Sequence, residues 1–280
     1  MSLVTTYQML ANAQRGGWAV GAFNVENAEM VRAVCAAAQS LKAPVILQTT
    51  PSTLRHLDCR YFAGLAASAA AEFGIAVALH LDHGTDYELC RRCIDNGYTS
   101  VMIDGSRLPF EENVSLSARV AAYARARGIP VEAELGSVGG KEDDMTEGSG
   151  QFTDPEQAAE FVRRTDVDSL AIGFGTAHGF YKTTPALDLH RVALVRERVN
   201  IPLVMHGTSG VSETDVRTAV RNGICKVNYA TELREAFSSA VRQYLQEEPK
   251  TVDPKKYIGA AQRSVTRLVQ ERIAQLRPYE

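Results

Sequence analysis

Eight short apolar segments recur along the chain, and stretches with helical periodicity separate most of them. Each segment is apolar nearly throughout and rich in β-branched residues, which is typical of parallel strands that are covered on both faces. The segments are 19–23, 44–48, 76–81, 100–104, 130–135, 169–174, 202–206 and 224–228. Because strands alternate with helices, the sequence predicts an α/β fold, a (β/α)8 TIM barrel, in preference to a doubly wound sheet. No GxGxxG follows the first segment, which further disfavours a dinucleotide-binding sheet.

Two further helical stretches, 232–245 and 257–276, follow the eighth strand, so the barrel is expected to carry extra C-terminal helices. A length of 280 residues is close to the about 250 that one barrel takes, and we expect a single domain over residues 1–280. The connection 136–150, after the fifth strand, is rich in glycine and acidic residues. Its composition predicts a long mobile loop, of the kind that usually has a function.

The overall charge and the cysteine content limit the class of protein. A formal net charge of −3 gives no basic footprint for nucleic acid, so a phosphorylated ligand would need a local site. The first residues lack a secretory signal, and no run approaches the roughly 18 apolar residues of a membrane span. Five scattered cysteines predict reduced thiols and a cytoplasmic location, and the CxxC pattern of Cys90 and Cys93 is expected to be buried.

Three of the six histidines lie at or just beyond the carboxyl end of a predicted strand. They are His83, His178 and His206, and in a barrel all three strand ends meet at one mouth. Three imidazoles with an open fourth position are a typical catalytic zinc site, so the sequence predicts one bound Zn²⁺. His80 lies deeper along its strand, and we expect it to be buried and hydrogen-bonded.

The turns after the sixth, seventh and eighth strands have the composition of a phosphate cradle. Backbone N–H groups at such turns and at helix starts bind phosphate, and this end of a barrel is a common place for it. The alternative is that these are ordinary barrel turns, with Thr231 only capping a helix. The candidate residues are Gly179, Gly207, Thr208, Ser209, Asn228, Tyr229, Ala230 and Thr231.

Seven ordered motifs, spread from near the first residue to the tail, resemble those of the class II, metal-dependent fructose/tagatose-bisphosphate aldolases. The similarity is closest to the shorter, tagatose-bisphosphate branch. The motifs are Ala22-Phe-Asn24, His80-Leu-Asp-His83, Glu132-Ala-Glu-Leu-Gly136, Gly139-Gly-Lys-Glu-Asp143, Gly175-Thr-Ala-His-Gly179, His206-Gly-Thr-Ser-Gly210 and Lys226-Val-Asn228.

The resemblance implies roles for residues at the predicted mouth. His83, His178 and His206 match the family's zinc ligands, in agreement with the interpretation above. Glu134 matches a glutamate that contacts the metal in an alternative position, and Asp104 matches a carboxylate near that position.

Two carboxylates match the groups that move protons in this family. Asp82 matches the acid/base that acts on the aldehyde oxygen, and Glu142 matches the base for the carbon-bound proton of dihydroxyacetone phosphate. Both are therefore predicted to be catalytic.

The resemblance also implies substrate contacts. The turn residues given above match the phosphate site for dihydroxyacetone phosphate, with Na⁺ or K⁺ nearby as a possible second ion. Asn24 and Lys182 are further candidates for contacts to the substrate or its phosphate. Thr50 is a candidate contact for the distal end of the substrate, although it is equally consistent with a turn. Lys255 resembles a basic tail residue that reaches the second phosphate in a neighbouring subunit.

The implied reaction is reversible cleavage of tagatose (or fructose) 1,6-bisphosphate to dihydroxyacetone phosphate and glyceraldehyde 3-phosphate, through a zinc-stabilised enediolate. A homodimer or homotetramer is expected. Four departures from the family pattern, Lys141, Thr208, Gly84 and a lysine at 255 where arginine is common, leave the identity of the sugar open. The alternatives are an aldolase for a different phosphorylated ketose and a non-catalytic partner subunit of an aldolase.

Overall fold

A computed structural model describes residues 3–142, 145–147, 150–181 and 185–277, with the backbone alone for 141–142 and 145–147. Eight parallel strands close into a barrel in the order β1-β11-β10-β8-β5-β4-β3-β2. These strands are β1 (Val20–Asn24), β2 (Val45–Thr49), β3 (Val77–Gly84), β4 (Ser100–Ile103), β5 (Val131–Leu135), β8 (Ser169–Ile172), β10 (Leu203–Met205) and β11 (Ile224–Tyr229).

Helices surround the barrel, and most of them bury one face against it or against a neighbouring helix. They are α1 (Thr6–Gly16), α2 (Ala28–Ser40), α3 (Pro51–His56), α4 (Cys59–Phe73), α5 (Tyr87–Asp95), α6 (Phe110–Arg125), α7 (Pro155–Thr165), α8 (Leu189–Arg198), α9 (Glu213–Arg221), α10 (Thr231–Glu247) and α11 (Pro254–Gln275). Most begin at an Asx or Ser/Thr cap, for example Asp86 at α5 and Asp154 at α7. Helix starts therefore follow local sequence signals.

The main hydrophobic core lies between the barrel and its helices and includes the outward side chains of each strand. Inside the barrel, a smaller cluster joins Ala22, Ile46 and Ala78 to Met9 and Leu10 of α1. Helix α1 thus covers the amino-terminal end of the barrel. The carboxyl-terminal end stays available for polar side chains, and this is where the candidate site lies.

The segment 136–150, predicted to be a long mobile loop, contains regular structure in its described residues. Strands β6 (Gly139–Glu142) and β7 (Met145–Glu147) pair antiparallel, and β6 also pairs in parallel with β9 (Ala177–His178). Gly140 lies opposite His178, and its φ of 94° together with the closeness of the His178 backbone requires glycine there. The sequence interpretation was wrong on this point because the pairing joins residues that are far apart in the chain.

The predicted barrel and its extra C-terminal helices are confirmed. The structure adds the bounds of α1, α3 and α8, which the sequence analysis did not give. All five cysteines are buried and unpaired, as expected for Cys90 and Cys93. Across the part of the chain that the structure describes, none of the helices combines the length and apolar character needed to cross a membrane.

Candidate active site

A bulge in β3 brings two consecutive side chains to the barrel mouth. Leu81 pairs with Val101 and Gly84 with Ile103, so β3 has one residue more than β4 between these pairs. Successive side chains of a regular strand point to opposite faces, and Asp82 and His83 would then diverge. His83 takes a φ of 49°, which is uncommon for a residue with a side chain. The strained conformation is compatible with a functional role, because it aims the imidazole into the barrel.

Three imidazoles meet at this mouth. The His83 ring lies 4.7 Å from the His206 ring and 5.1 Å from the His178 ring, measured between centroids. One nitrogen from each ring lies within 4.8 Å of the other two. The separation is suitable for a tetrahedral ion, which holds ligand nitrogens at roughly 2.0–2.1 Å.

The outer nitrogens of two of these rings are hydrogen-bonded to carboxylates. His83 Nδ1 lies 2.7 Å from Asp104 Oδ2, and His206 Nε2 lies 2.8 Å from Glu132 Oε1. If each outer nitrogen carries the proton, His83 Nε2 and His206 Nδ1 are both acceptors, and they face each other at 2.9 Å. Two acceptor nitrogens in contact are satisfied by a cation, so the donor set fits a metal.

The pKa shifts of Asp104 and His206 agree with this tautomer assignment. Burial by itself would raise the pKa of Asp104, but hydrogen bonds from His83 and Ser106 hold that pKa well below its usual range. Burial lowers the pKa of His206, which favours the neutral, metal-binding form of the ring.

A buried ion pair lies directly beneath His206. Lys226 Nζ is 2.8 Å from Glu132 Oε2, and both side chains are almost completely buried. Burial would raise the pKa of Glu132, but Lys226 and His206 hold that pKa well below its usual range. His80 completes the group: it is fully buried, as expected, with Nδ1 2.8 Å from Ser100 Oγ. Glu132 is thus kept as an anion that accepts a hydrogen bond from His206 Nε2.

Glu134 and Asp104 form a second group of possible ligands with His83. One donor atom from each residue lies within 4.8 Å of the other two. Glu134 is buried, and its Oε1 accepts a hydrogen bond from Val138 N at 3.2 Å. Asp104 holds His83 by its outer nitrogen. The two groups share His83, so the second lies beside the three-histidine site.

Asp82 is buried next to His83 and is held by three side-chain amides. Nδ2 of Asn24 and Nε2 of Gln48 donate to Asp82 Oδ2 at 3.0 and 3.2 Å. Nδ2 of Asn228 donates to the other oxygen, Oδ1, at 3.1 Å. Because amide donors fix both oxygens, the carboxylate is oriented before any ligand binds.

A small cavity opens beside His178, among the turns predicted to bind phosphate. Two features of it are typical of an anion site. Helix α10 begins there with no side-chain cap at Ala230. The Thr208 hydroxyl, in a residue that is 4% exposed, has no hydrogen-bond partner among the described residues. The cavity is lined by His178, Gly179, Gly207, Thr208, Ser209, Asn228, Ala230, Thr231 and Arg234.

Tyr181 joins the two loops that carry His178 and His206. Its hydroxyl accepts a hydrogen bond from Ala177 N and donates one to Gly207 O, both at 2.7 Å. The loops also approach closely at Gly207, where a Cβ atom would lie 2.7 Å from Ala177. The cavity wall and two of the three imidazoles are thereby held as one unit.

Comparison with known proteins agrees with this geometry. The family model for class II fructose-bisphosphate aldolases matches residues 4–279. The chain belongs to the class II fructose-bisphosphate aldolase family. It is therefore an aldolase, a carbon–carbon lyase, and its relatives act on phosphorylated ketoses.

Solved structures support the same conclusion for this aldolase. The YdjI aldolase of Escherichia coli K12 is 35% identical, with a TM-score of 0.87 over 98% of this chain and 97% of that one. A Coccidioides immitis protein provisionally named a fructose-1,6-bisphosphate aldolase is 28% identical, with a TM-score of 0.87 over 96% and 94%. Fructose-bisphosphate aldolase from Campylobacter jejuni, at 23% identity, shares the fold with a TM-score of 0.85 over 98% and 95%.

Some residues predicted for substrate binding in this aldolase lie elsewhere. The Tyr229 side chain is buried in the outer core, stacked on Phe23, so only its backbone borders the mouth. The Thr50 hydroxyl accepts a hydrogen bond from Thr53 N at 3.5 Å and caps α3, which favours the turn interpretation. Lys255 is 86% exposed and pairs with Asp253 at the start of α11. Lys255 is not among the described residues that line the cavity beside His178.

Glu142 and Lys182 are two further predicted residues whose side chains lie outside the described part of the structure. Glu142 lies on β6, two residues beyond the Gly140 pair with His178, and its backbone alone is described. Lys182 lies outside the described residues. Asn24 is present at the site, where its amide supports Asp82.

Sequence reasoning missed two residues of the aldolase site. Gln48 was overlooked, although a polar residue at the end of an otherwise apolar strand is a usable signal. Arg234 lines the cavity from the first turn of α10, and no local signal distinguishes it from other arginines on that helix.

Changing Glu132 to glutamine is expected to weaken zinc binding about 10- to 100-fold, because His206 loses its anionic partner. The measurement is a chelator competition titration, which gives an apparent zinc dissociation constant without any turnover. The single variant leaves Lys226 buried without its counter-ion, at a cost of about 3–5 kcal/mol. The double variant Glu132→Gln/Lys226→Met removes that charge and serves as the control. Unchanged zinc affinity in a folded double variant would contradict the role of Glu132.

Proposed function

We propose that this aldolase reversibly cleaves a ketose 1,6-bisphosphate, tagatose or fructose 1,6-bisphosphate, to dihydroxyacetone phosphate and glyceraldehyde 3-phosphate. The observation that carries the proposal is the convergence of His83, His178 and His206 beside the oriented carboxylate of Asp82. The cavity next to His178 supports a phosphorylated substrate, since it combines an uncapped helix start with an unpaired hydroxyl.

We propose Zn²⁺ as the metal, with His83, His178 and His206 as its ligands and with Glu134 and Asp104 at an alternative position. Three imidazole ligands favour zinc, and the outer-nitrogen hydrogen bonds of His83 and His206 support this choice. When bound, zinc would supply a Lewis acid that stabilises negative charge developing on the ketone oxygen.

The chain's own residues would move the protons. In cleavage, Asp82 takes the proton of the C4 hydroxyl, the C3–C4 bond breaks, and its electron pair stays with the dihydroxyacetone phosphate half. The aldehyde leaves as glyceraldehyde 3-phosphate. In the reverse direction, Asp82 returns the proton to the aldehyde oxygen. Asn24, Gln48 and Asn228 keep the carboxylate aimed at that oxygen.

The phosphate of the dihydroxyacetone half is assigned to the cavity, where backbone N–H groups of the turns and of the α10 start would bind it. The residues proposed for this role are Gly179, Gly207, Thr208, Ser209, Ala230 and Thr231, with Lys182 as a further candidate. Asn228 has an unpaired Oδ1 at this site, an oxygen that is suitable for a substrate hydroxyl or for a bound Na⁺ or K⁺.

We propose Glu142 as the base for the carbon-bound proton of dihydroxyacetone phosphate. Its strand β6 is paired with the His178 backbone, which keeps the segment near the mouth. Glu142→Ala is expected to slow exchange of that proton with solvent by about two to four orders of magnitude, the usual value of general base catalysis. Proton exchange would be followed by NMR in deuterated water, with binding of dihydroxyacetone phosphate as the control. Exchange at the wild-type rate would remove Glu142 from this role.

The decisive experiment is metal analysis of the purified protein together with cleavage assays before and after chelation. Tagatose and fructose 1,6-bisphosphates and several ketose monophosphates would be compared. Loss of turnover on chelation and recovery with zinc are expected. Preference for a monophosphate would favour the alternative, an aldolase for a different phosphorylated ketose. A zinc-loaded protein with no turnover on any ketose phosphate would favour a non-catalytic partner subunit.

We also propose that residues 1–280 act as a single domain in a homodimer or homotetramer. Helix α10 fully buries only Leu233, and the exposed side chains on its outer face are available to a second copy. In such an assembly, Lys255 is proposed to reach the second phosphate in a neighbouring subunit. The five buried, unpaired cysteines support a cytoplasmic location.

A further inference from the structure

Arg234 contributes a positive charge to the wall of the cavity beside His178. It lies one turn into α10, after Ala230 and Thr231, and lines the cavity together with Thr208. Among the described residues that line this cavity, it is the only one with a permanent charge. The neighbouring groups are glycines, hydroxyls, an amide and an imidazole. Among these described lining residues, Arg234 is therefore the one that would supply counter-charge to a phosphate dianion in this cavity.

The guanidinium of Arg234 is held in place by Glu26. Both Nε and Nη2 of Arg234 lie 2.7 Å from Glu26 Oε1. Glu26 is itself fixed on its other oxygen, because Thr53 Oγ1 donates to Oε2 at 2.6 Å. Three separate parts of the chain thus meet: the connection after β1, helix α3 and helix α10. About a third of each charged side chain is exposed, 34% for Arg234 and 30% for Glu26.

This arrangement orients the planar guanidinium of Arg234, with its fork of N–H donors, toward a cavity that is suited to an anion. Glu26 is hydrogen-bonded along the Nε edge, and a guanidinium carries five N–H donors in a rigid plane. The Thr208 hydroxyl, buried and without a hydrogen-bond partner in the described part of the chain, lines the same cavity. A ligand with several acceptor oxygens and negative charge would satisfy this hydroxyl, the uncapped helix start and the arginine together.

We propose that Arg234 binds the phosphate of the dihydroxyacetone half and that Glu26 is its positioning residue. The inference rests on the proposed function, and it adds the residue that makes the enzyme select a phosphorylated donor over an unphosphorylated one. Loss of the guanidinium then affects binding of the phosphate and leaves the metal centre and Asp82 intact.

The test compares Arg234→Gln with the wild-type enzyme in the condensation direction, with one common aldehyde. Dihydroxyacetone phosphate and unphosphorylated dihydroxyacetone serve as donors. We expect KM for dihydroxyacetone phosphate to rise about 10- to 100-fold in the variant, as for loss of hydrogen bonds to a charged group. The loss with dihydroxyacetone should be much smaller, because this donor has no phosphate for Arg234 to bind. Arg234→Lys keeps the charge but loses the fork, so it should restore part of the affinity.

A second measurement is independent of turnover. Isothermal titration with inorganic phosphate should give a dissociation constant that rises by a similar factor in Arg234→Gln, and by a smaller one in Glu26→Gln. Arg242→Gln is the matched control, because Arg242 is an exposed arginine two turns further along the same helix. It should leave both assays unchanged.

The outcomes separate this inference from the proposed function. A wild-type enzyme that turns over no ketose phosphate would overturn the proposed function. A wild-type enzyme that is active, with Arg234→Gln retaining wild-type KM and wild-type phosphate affinity, would overturn the role of Arg234 alone. An equal loss with both donors, or a loss of bound zinc, would also overturn it, because a purely structural role predicts that pattern.

Discussion

His206→Ala is expected to lose bound zinc and aldolase activity together. The substitution leaves two imidazoles at the site, and two such ligands hold zinc poorly. It also removes the donor to Glu132 Oε1, so the buried Glu132–Lys226 pair loses one of its hydrogen bonds. Zinc would be measured by elemental analysis after gel filtration, and activity by a coupled assay for dihydroxyacetone phosphate.

His190→Ala provides the control for this experiment, since His190 is exposed on α8 and is not one of the three proposed ligands. The control should keep the metal content and the activity of the wild-type enzyme. Stoichiometric zinc with normal turnover in His206→Ala would mean that the three-histidine assignment is wrong.

Asp82→Ala is expected to separate metal binding from catalysis. The variant should keep its zinc, because Asp82 is hydrogen-bonded to amides and not to the imidazoles. Its kcat should fall by about two to four orders of magnitude, the usual contribution of a general acid–base group. The paired measurements are zinc content and kcat for cleavage of the preferred bisphosphate.

Truncation of Asp82 also leaves the amides of Asn24, Gln48 and Asn228 without their acceptor, and this destabilises the fold by about 1–3 kcal/mol for each buried group left unpaired. Thermal unfolding of the zinc-loaded variant distinguishes a folded, slow enzyme from an unfolded one. Asp82→Asn keeps the shape of the side chain, and its kcat provides a second measurement of the same effect. A folded, zinc-loaded variant with wild-type kcat would exclude Asp82 as the acid/base.

The barrel could be predicted from the sequence because each of its strands is a short, continuous apolar run between helical periods. The convergence of His83, His178 and His206 was predictable for a related reason. Once strand ends are placed, barrel geometry brings them to one mouth. The structure agrees with this convergence, while zinc binding by these residues stays a prediction.

Features that depend on irregular backbone or on long-range packing could not be predicted. A strict strand alternation directs Asp82 and His83 to opposite faces, and the bulge that brings them together leaves no local sequence signal. The pairing of β6 with β9 joins residues of two distant segments, so composition alone indicated a loop. The positions of Glu26 and Arg234 depend on how α10 packs beside the connection after β1.

The ladder between β6 and β9 has a mechanical consequence. Gly140 is paired with His178, which contributes an imidazole to the proposed zinc site, and Glu142 follows two residues later on the same strand. Main-chain hydrogen bonds are short and directional, so a shift of one strand carries the other with it. The proposed ligand and the proposed base therefore do not move independently. A ligand that moves His178 therefore also changes the distance between Glu142 and the substrate carbon.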